Sequence, residues 1–189
     1  MTSRKIGPKL LASASVAALI AISSPAYAAG VTETGSAQSY RLSTDVNGSP
    51  SFPIDWLIFQ GFDVVESVYI DEDINNNDKA GKNYAFWIDG DSSIGDDLII
   101  EAGATMEATQ INKGGDATVE ALLIDGDVPS VINNGKISGT ARAKDEADAK
   151  GIEYDAEGTA SVDNNGDILA LAVAGDNPNK KGDEDFATD

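Results

Sequence analysis

The chain has 189 residues, with 32 acidic side chains against 13 basic ones, no cysteine and no histidine. A net charge of −19 leaves no basic footprint for a phosphate backbone or an anionic lipid surface. No disulfide can staple the fold, and the commonest general base and transition-metal ligand are both missing.

Residues 1–28 read as a secretory signal peptide. Arg4, Lys5 and Lys9 form a positive start, Leu10 to Ile22 is an apolar run, and Pro25 precedes the small-residue motif Ala26-Tyr27-Ala28. The run is short for a bilayer span, so cleavage after Ala28 is expected. Cleavage removes three basic and no acidic residues, which leaves ten against 32, a net charge of −22. The composition therefore predicts an exported, strongly acidic, soluble chain.

Residues 29–83 read as an N-terminal cap and linker region. Residues 29–50 are rich in Gly, Ser and Thr and suggest a flexible segment or a loosely held first strand. Between 51 and 70 the character changes. Phe52, Ile54, Trp56, Leu57, Ile58, Phe59 and Phe62 are followed by Val64, Val65, Val68, Tyr69 and Ile70. This block predicts one or two strands broken at Gly61, with the aromatics plugging the open end of a stack. Residues 71–83 read as a polar loop. Asp71, Asp73, Asn75 and Asn77 alternate like the first half of a calcium loop, but Asn76 stands where such a loop needs Gly and Lys82 where it needs Glu. No metal site is assigned. Loose Ca2+ binding at Asp71–Asp78 or Gly182–Asp185 is the most that these carboxylates suggest, and no cofactor is implied.

From Tyr84 a phrase recurs. Residues 123–135 read LIDGDVPSVINNG and are followed by KISGTARA; about thirty residues on comes YDAEGTASVDNNG, followed by DILALAVA. Gly135 and Gly166 lie 31 positions apart. Self-similarity at this period marks a stacked repeat architecture, in which no single repeat buries its own apolar face. Each repeat divides into three short β segments. The first column is Tyr84–Ile88, Ala121–Ile124 and Gly151–Tyr154; the second is Leu98–Ile100, Val131–Ile132 and Ser161–Val162; the third is Thr105–Ala108, Ile137–Ala141 and Ile168–Val173.

Asp-Gly and Asn-Gly pairs separate the columns and suggest corners with left-handed backbone. Antiparallel hairpins would explain each corner locally, but only parallel coils explain why the whole phrase returns in the same direction. Like positions then stack about 4.8 Å apart, and Asn133-Asn134 lies beside Asn164-Asn165 in an amide ladder. The expected fold is all-β, a parallel β-helix (solenoid) of about three coils over residues 84–175. In Asp167–Ala174, Leu169 and Leu171 fall on the opposite parity to Ile168 unless a bulge intervenes. Asp145–Lys150 reads as an inserted loop or helical turn. Residues 176–189 are polar, with the composition of a disordered or truncated end. A short stack with an open end exposes apolar cross-section and unpaired edges, so it should associate or fray.

The unit I-D-G-D-x-P-S-V-I-N-N-G-x-I-S-G-T-A, with the leader, resembles the passenger repeats of bacterial autotransporter proteins over residues 84–175. The resemblance implies a right-handed parallel β-helix that crosses the inner membrane, passes the outer membrane with help from a C-terminal β-barrel, and is displayed at the surface of a Gram-negative cell or secreted. Many such passengers serve adhesion, aggregation or biofilm formation; some carry protease or esterase domains. A barrel is built of many strands of about 9–11 residues, and nothing after Gly175 reads as one. The chain thus reads as the front portion of a longer protein, a truncated product or a freely secreted relative.

The expected function is a structural stalk or an adhesin without catalysis, its partner a surface protein or glycan and not nucleic acid. The alternative is a secreted polysaccharide-acting β-helix enzyme, a glycoside hydrolase or lyase, using stacked Asp125 and Asp155, with Asp89 beside them. Asp before Gly is common at turns for backbone reasons alone, and nothing in the sequence implies a raised carboxyl pKa in a cleft. No histidine can activate a serine and no G-x-S-x-G elbow is present. No residue is assigned as catalytic or cofactor-binding.

Overall fold

The computed structural model describes residues 30–42, 54–77, 83–157 and 160–175. The signal-peptide reading of residues 1–28 and the polar end at 176–189 lie outside these. The described residues form strands β1 (Val31–Ala37), β2 (Tyr40–Leu42), β3 (Leu57–Val64), β4 (Val68–Ile70), β5 (Ile74–Asn77), β6 (Tyr84–Ile88), β7 (Ser93–Ile94), β8 (Asp97–Ile100), β9 (Thr105–Asn112), β10 (Ala117–Ile124), β11 (Ser130–Asn133), β12 (Lys136–Ala143), β13 (Ala147–Tyr154), β14 (Ser161–Asn164) and β15 (Asp167–Ala174).

These strands wind into a parallel solenoid of about four turns. One sheet runs β1-β3-β6-β10-β13, with β7 paired to β3; a second runs β14-β11-β8-β4-β2; a third runs β15-β12-β9-β5. Every pairing between these strands is parallel, and like positions of successive repeats meet. Val131 stands beside Val162 and Asn133 beside Asn164; Ile137 stands between Met106 and Ile168. A hairpin would have reversed each neighbour, so the recurrence of the phrase in one direction was the decisive signal.

The winding also extends further upstream than the repeated phrase. It reaches back to Val31, giving about four turns where three were expected, because β1–β5 join the same three sheets. The wording changes there but the alternation of buried positions continues rung on rung. Leu57 and Phe59 are buried in register with Phe86 and Ile88, and these with Leu122 and Ile124; parity resets at Gly61, after which Phe62 and Val64 turn inward and Val64 stands beside Ile94. Phe59 packs edge-on against Tyr40, Phe62 and Phe86 at ring separations of 5.1, 4.8 and 4.9 Å. With β1 on one side of β3 and β6 on the other, the aromatic block is an interior rung and not the plug expected from its composition. Residues 147–150, read as part of an insertion, belong to β13 and pair with β10.

The corner glycines serve a purpose different from the expected one. Among the described glycines a positive φ occurs at Gly35, Gly61, Gly103 and Gly175, and not at the Asp-Gly and Asn-Gly corners. At Gly135 a Cβ would lie 2.4 Å from the Ala104 carbonyl oxygen, and at Gly126 it would lie 2.3 Å from that of Ser92. The side chain is excluded by the rung beside it, so the glycine follows from stacking and not from turn type. Gly139 plays the same part inside, where a Cβ would lie 2.4 Å from the Lys150 carbonyl oxygen. There the first and third sheets approach so closely that no side chain fits between.

Candidate functional site

Three clusters of polar side chains bear on chemistry. The first is the column of aspartates after the first sheet. Ile88 pairs with Ile124 and Ile124 with Tyr154, so Asp89, Asp125 and Asp155 follow at equivalent places in three successive rungs, as their spacing suggests. Two of these carboxylates hold the frame. Asp89 Oδ1 accepts from the Gly61 N–H at 3.2 Å, the Asp91 N–H at 3.2 Å and the Ser92 hydroxyl at 2.8 Å. Asp125 Oδ2 accepts from the Trp87 indole N–H at 2.8 Å. These carboxylates close a turn and anchor an aromatic ring, which are backbone-fixing tasks.

The second is the stretch that alternates like half a calcium loop. The structure makes its second half a strand. Asn75, Asn76 and Asn77 pair with Glu107, Ala108 and Thr109; Asn75 and Asn77 share a face, but an extended strand spreads them along its length in place of the curled loop that wraps such a cation. Asp71 instead pairs with Arg41 at 3.2 Å, Asp73 accepts from the Thr105 N–H at 2.8 Å, and Asn76, 1 % exposed, donates to the Tyr84 carbonyl at 2.6 Å. Among the described residues no group of three or more acidic side chains is arranged to hold a metal ion. Asp78, Lys82 and Gly182–Asp185 lie outside them.

The third cluster has no motif and was not read from the sequence. Glu120 on β10 stands between Tyr84 on β6 and Lys150 on β13. Asn83 donates to Glu120 Oε2 at 2.6 Å. Lys150 donates to Glu153 at 2.6 Å and lies 3.8 Å from Asp148. Lys150 and Glu153 are three apart, so strict alternation would send them to opposite faces. Both Gly151 and Ile152 turn inward, toward Ile168 and the core, and that break in parity puts the two on one side. Burial pushes the Glu120 carboxyl up to about 7, with the Glu153 charge adding to the effect and Lys150 opposing it. Once protonated, Glu120 donates to Glu153. The cluster's only legible signal was the period itself, since Glu120 and Lys150 lie one rung apart. No protein family, curated protein or solved structure matches this chain.

A pH dependence follows. The folded value near 7 lies above the 4.5 of a free glutamate, so the fold binds this proton more tightly than the unfolded chain does. The contribution is complete below about pH 4.5 and is lost as pH rises through 7. Glu120→Gln should remove that loss, leaving the variant more stable than the parent at pH 8 by on the order of 1–2 kcal/mol once water near the partly exposed partners screens the charge. Urea unfolding at pH 4.5 and pH 8 measures it. Parallel curves for parent and variant would show that Glu120 titrates normally.

Proposed function

We propose that this chain is the exported, surface-displayed β-helix passenger of an autotransporter-like protein and that it works as a rigid, non-catalytic stalk. The observation that carries the reading is the parallel ladder that the described strands form between Val31 and Ala174 around an interior filled by side chains. Such a ladder has a repeating height and a polar outside, so it sets a distance. The four turns amount to a rod of about 20 Å. The leader-like residues 1–28 support export. An adhesive face would present clustered aromatics, but Tyr84 is 6 % exposed and Tyr154 is partly buried against the core.

Beads coated with the purified chain should bind cells, matrix proteins and glycan arrays no better than uncoated beads; capture by any one surface would establish the adhesin instead. Expressed with its first 28 residues, the exported chain should begin at Ala29. The alternative of a polysaccharide-acting enzyme rests on the stacked Asp89, Asp125 and Asp155. It predicts reducing-sugar release from at least one acidic or neutral polysaccharide, lost in Asp125→Asn.

A further inference from the structure

The two ends of the stack are built differently. At the first rung, Glu33 stands in register with the buried Phe59, which sets a carboxylate into the end of the core. The Tyr40 hydroxyl donates to it at 3.2 Å. The pairing of β1 with β3 slips between Glu33 and Gly35, Gly35 has a φ of 99°, and Arg41 stands exposed on β2. An inward-pointing charge, a bulge and an edge cation are the means by which natural sheets blunt an open edge.

The other end has none of them within its longest apolar strand. β13, β14 and β15 are the outermost strands of their sheets. From Ile168 to Ala174 the chain reads ILALAVA, without charge, proline or glycine. The pairing of β15 with β12 has no bulge, so Leu169 takes the place, opposite in parity to the core-facing Ile137 and Ile168, that the covered Ser138 and the half-buried Glu107 hold in the rungs below. It is 50 % exposed, and Val162, beside the buried Val131, is 52 % exposed. A strand apolar on both faces belongs to a covered position, and an uncharged seven-residue segment at a sheet edge is a template for pairing. Residues 175–189 carry seven charged side chains and Phe186 as their one large apolar one.

We infer that this end is a self-association surface: two copies of the chain meet tail to tail, β15 edge against β15 edge. A second copy fits because the segment in contact is uncharged, while the rest of a chain of net charge −19 repels its own kind. Asp163 on β14 and Asp167 at the start of β15, both exposed, precede the segment, and their charges disfavour a contact that spreads onto β14. Head-to-tail stacking would press Glu33 onto the apolar end, and burying that carboxylate without a charge partner is costly. A tail-to-tail contact is two-fold and closes, so growth stops at the dimer. The inference does not depend on the stalk reading, since a stalk, an adhesin and an enzyme would share this edge.

Sedimentation equilibrium of the purified chain tests it, with hydrogen exchange of the β15 amides followed against protein concentration. The expected mass at about 100 μM is twice that of one chain, and β15 protection rises as the dimer forms. Leu169→Lys with Leu171→Lys changes only outward positions. It should keep the far-ultraviolet circular dichroism spectrum and weaken the dimer at least tenfold. Thr118→Lys, exposed on β10, should leave the dimer unchanged. A monomer at that concentration, β15 protection independent of concentration (as residues 176–189 lying over the edge would give), a mass growing beyond two chains, or a dimer untouched by the two lysines would each overturn the inference.

Discussion

Phe59→Ala should destabilise the whole stack by about 4 kcal/mol, the loss expected when a fully buried phenylalanine leaves a cavity. Phe59 has no solvent exposure and touches three other rings edge-on, at 5.1, 4.8 and 4.9 Å, each contact adding to simple burial. For a chain of this size the melting temperature should fall by roughly 10 °C. The informative comparison is spatial. If the aromatic block were a plug, its loss would free β1 and β2 alone. As an interior rung, Phe59 bridges β1 to β6, so hydrogen exchange should accelerate in β6 and β10 as well. Val65→Ala, at a side chain 61 % exposed, is the near-neutral control. Faster exchange confined to β1 and β2 would restore the plug.

What the sequence made legible was tied to repetition. Gly135 and Gly166 recur at a fixed spacing, and that spacing alone was enough to place Val131 beside Val162 and Ile137 beside Ile168. The rungs before Tyr84 escaped because a parallel ladder requires only parity and length from each strand. Phe59 and Phe86 fill the same core as Leu122 without sharing any wording with it. The corners misled in a different way. Asn-Gly is read as left-handed backbone because isolated turns need it, whereas here the preceding rung's carbonyl excludes the side chain, a constraint that exists only after stacking. The Glu120 cluster was invisible for the same reason: Glu120, Lys150 and Glu153 acquire one another only when two rungs are side by side and Gly151 and Ile152 both turn inward.

Asn133→Ile should cost about 3 kcal/mol, although isoleucine already stands at the matching place one rung away. Asn133 pairs in register with Ile100 on one side and Asn164 on the other, and both Asn133 and Ile100 have no solvent exposure. An isoleucine therefore suits the space. What it lacks is the amide. Asn133 Oδ1 accepts from the Gly135 N–H at 3.2 Å, while Nδ2 donates to the Asn164 Oδ1 at 2.7 Å and to the Asp167 carbonyl at 3.1 Å. The Ile100 rung turns through Glu101, Ala102, Gly103 and Ala104 before β9 begins, with Gly103 at a φ of 98° and the Ala104 N–H bonded to the Glu101 carbonyl. That longer corner satisfies itself. The Asn134-Gly135 corner is two residues long and relies on the side chain before it. Removing the amide strands a backbone N–H and a backbone carbonyl at a part-buried corner, each costing about 1–3 kcal/mol. Asn134→Ala breaks only the exposed 3.2 Å contact with Asn165 and should cost no more than about 0.5 kcal/mol. Urea midpoints of the two variants decide the matter. If Asn133→Ile unfolds no more easily than Asn134→Ala, the amide ladder contributes nothing to the stack, and apolar filling alone fixes this corner.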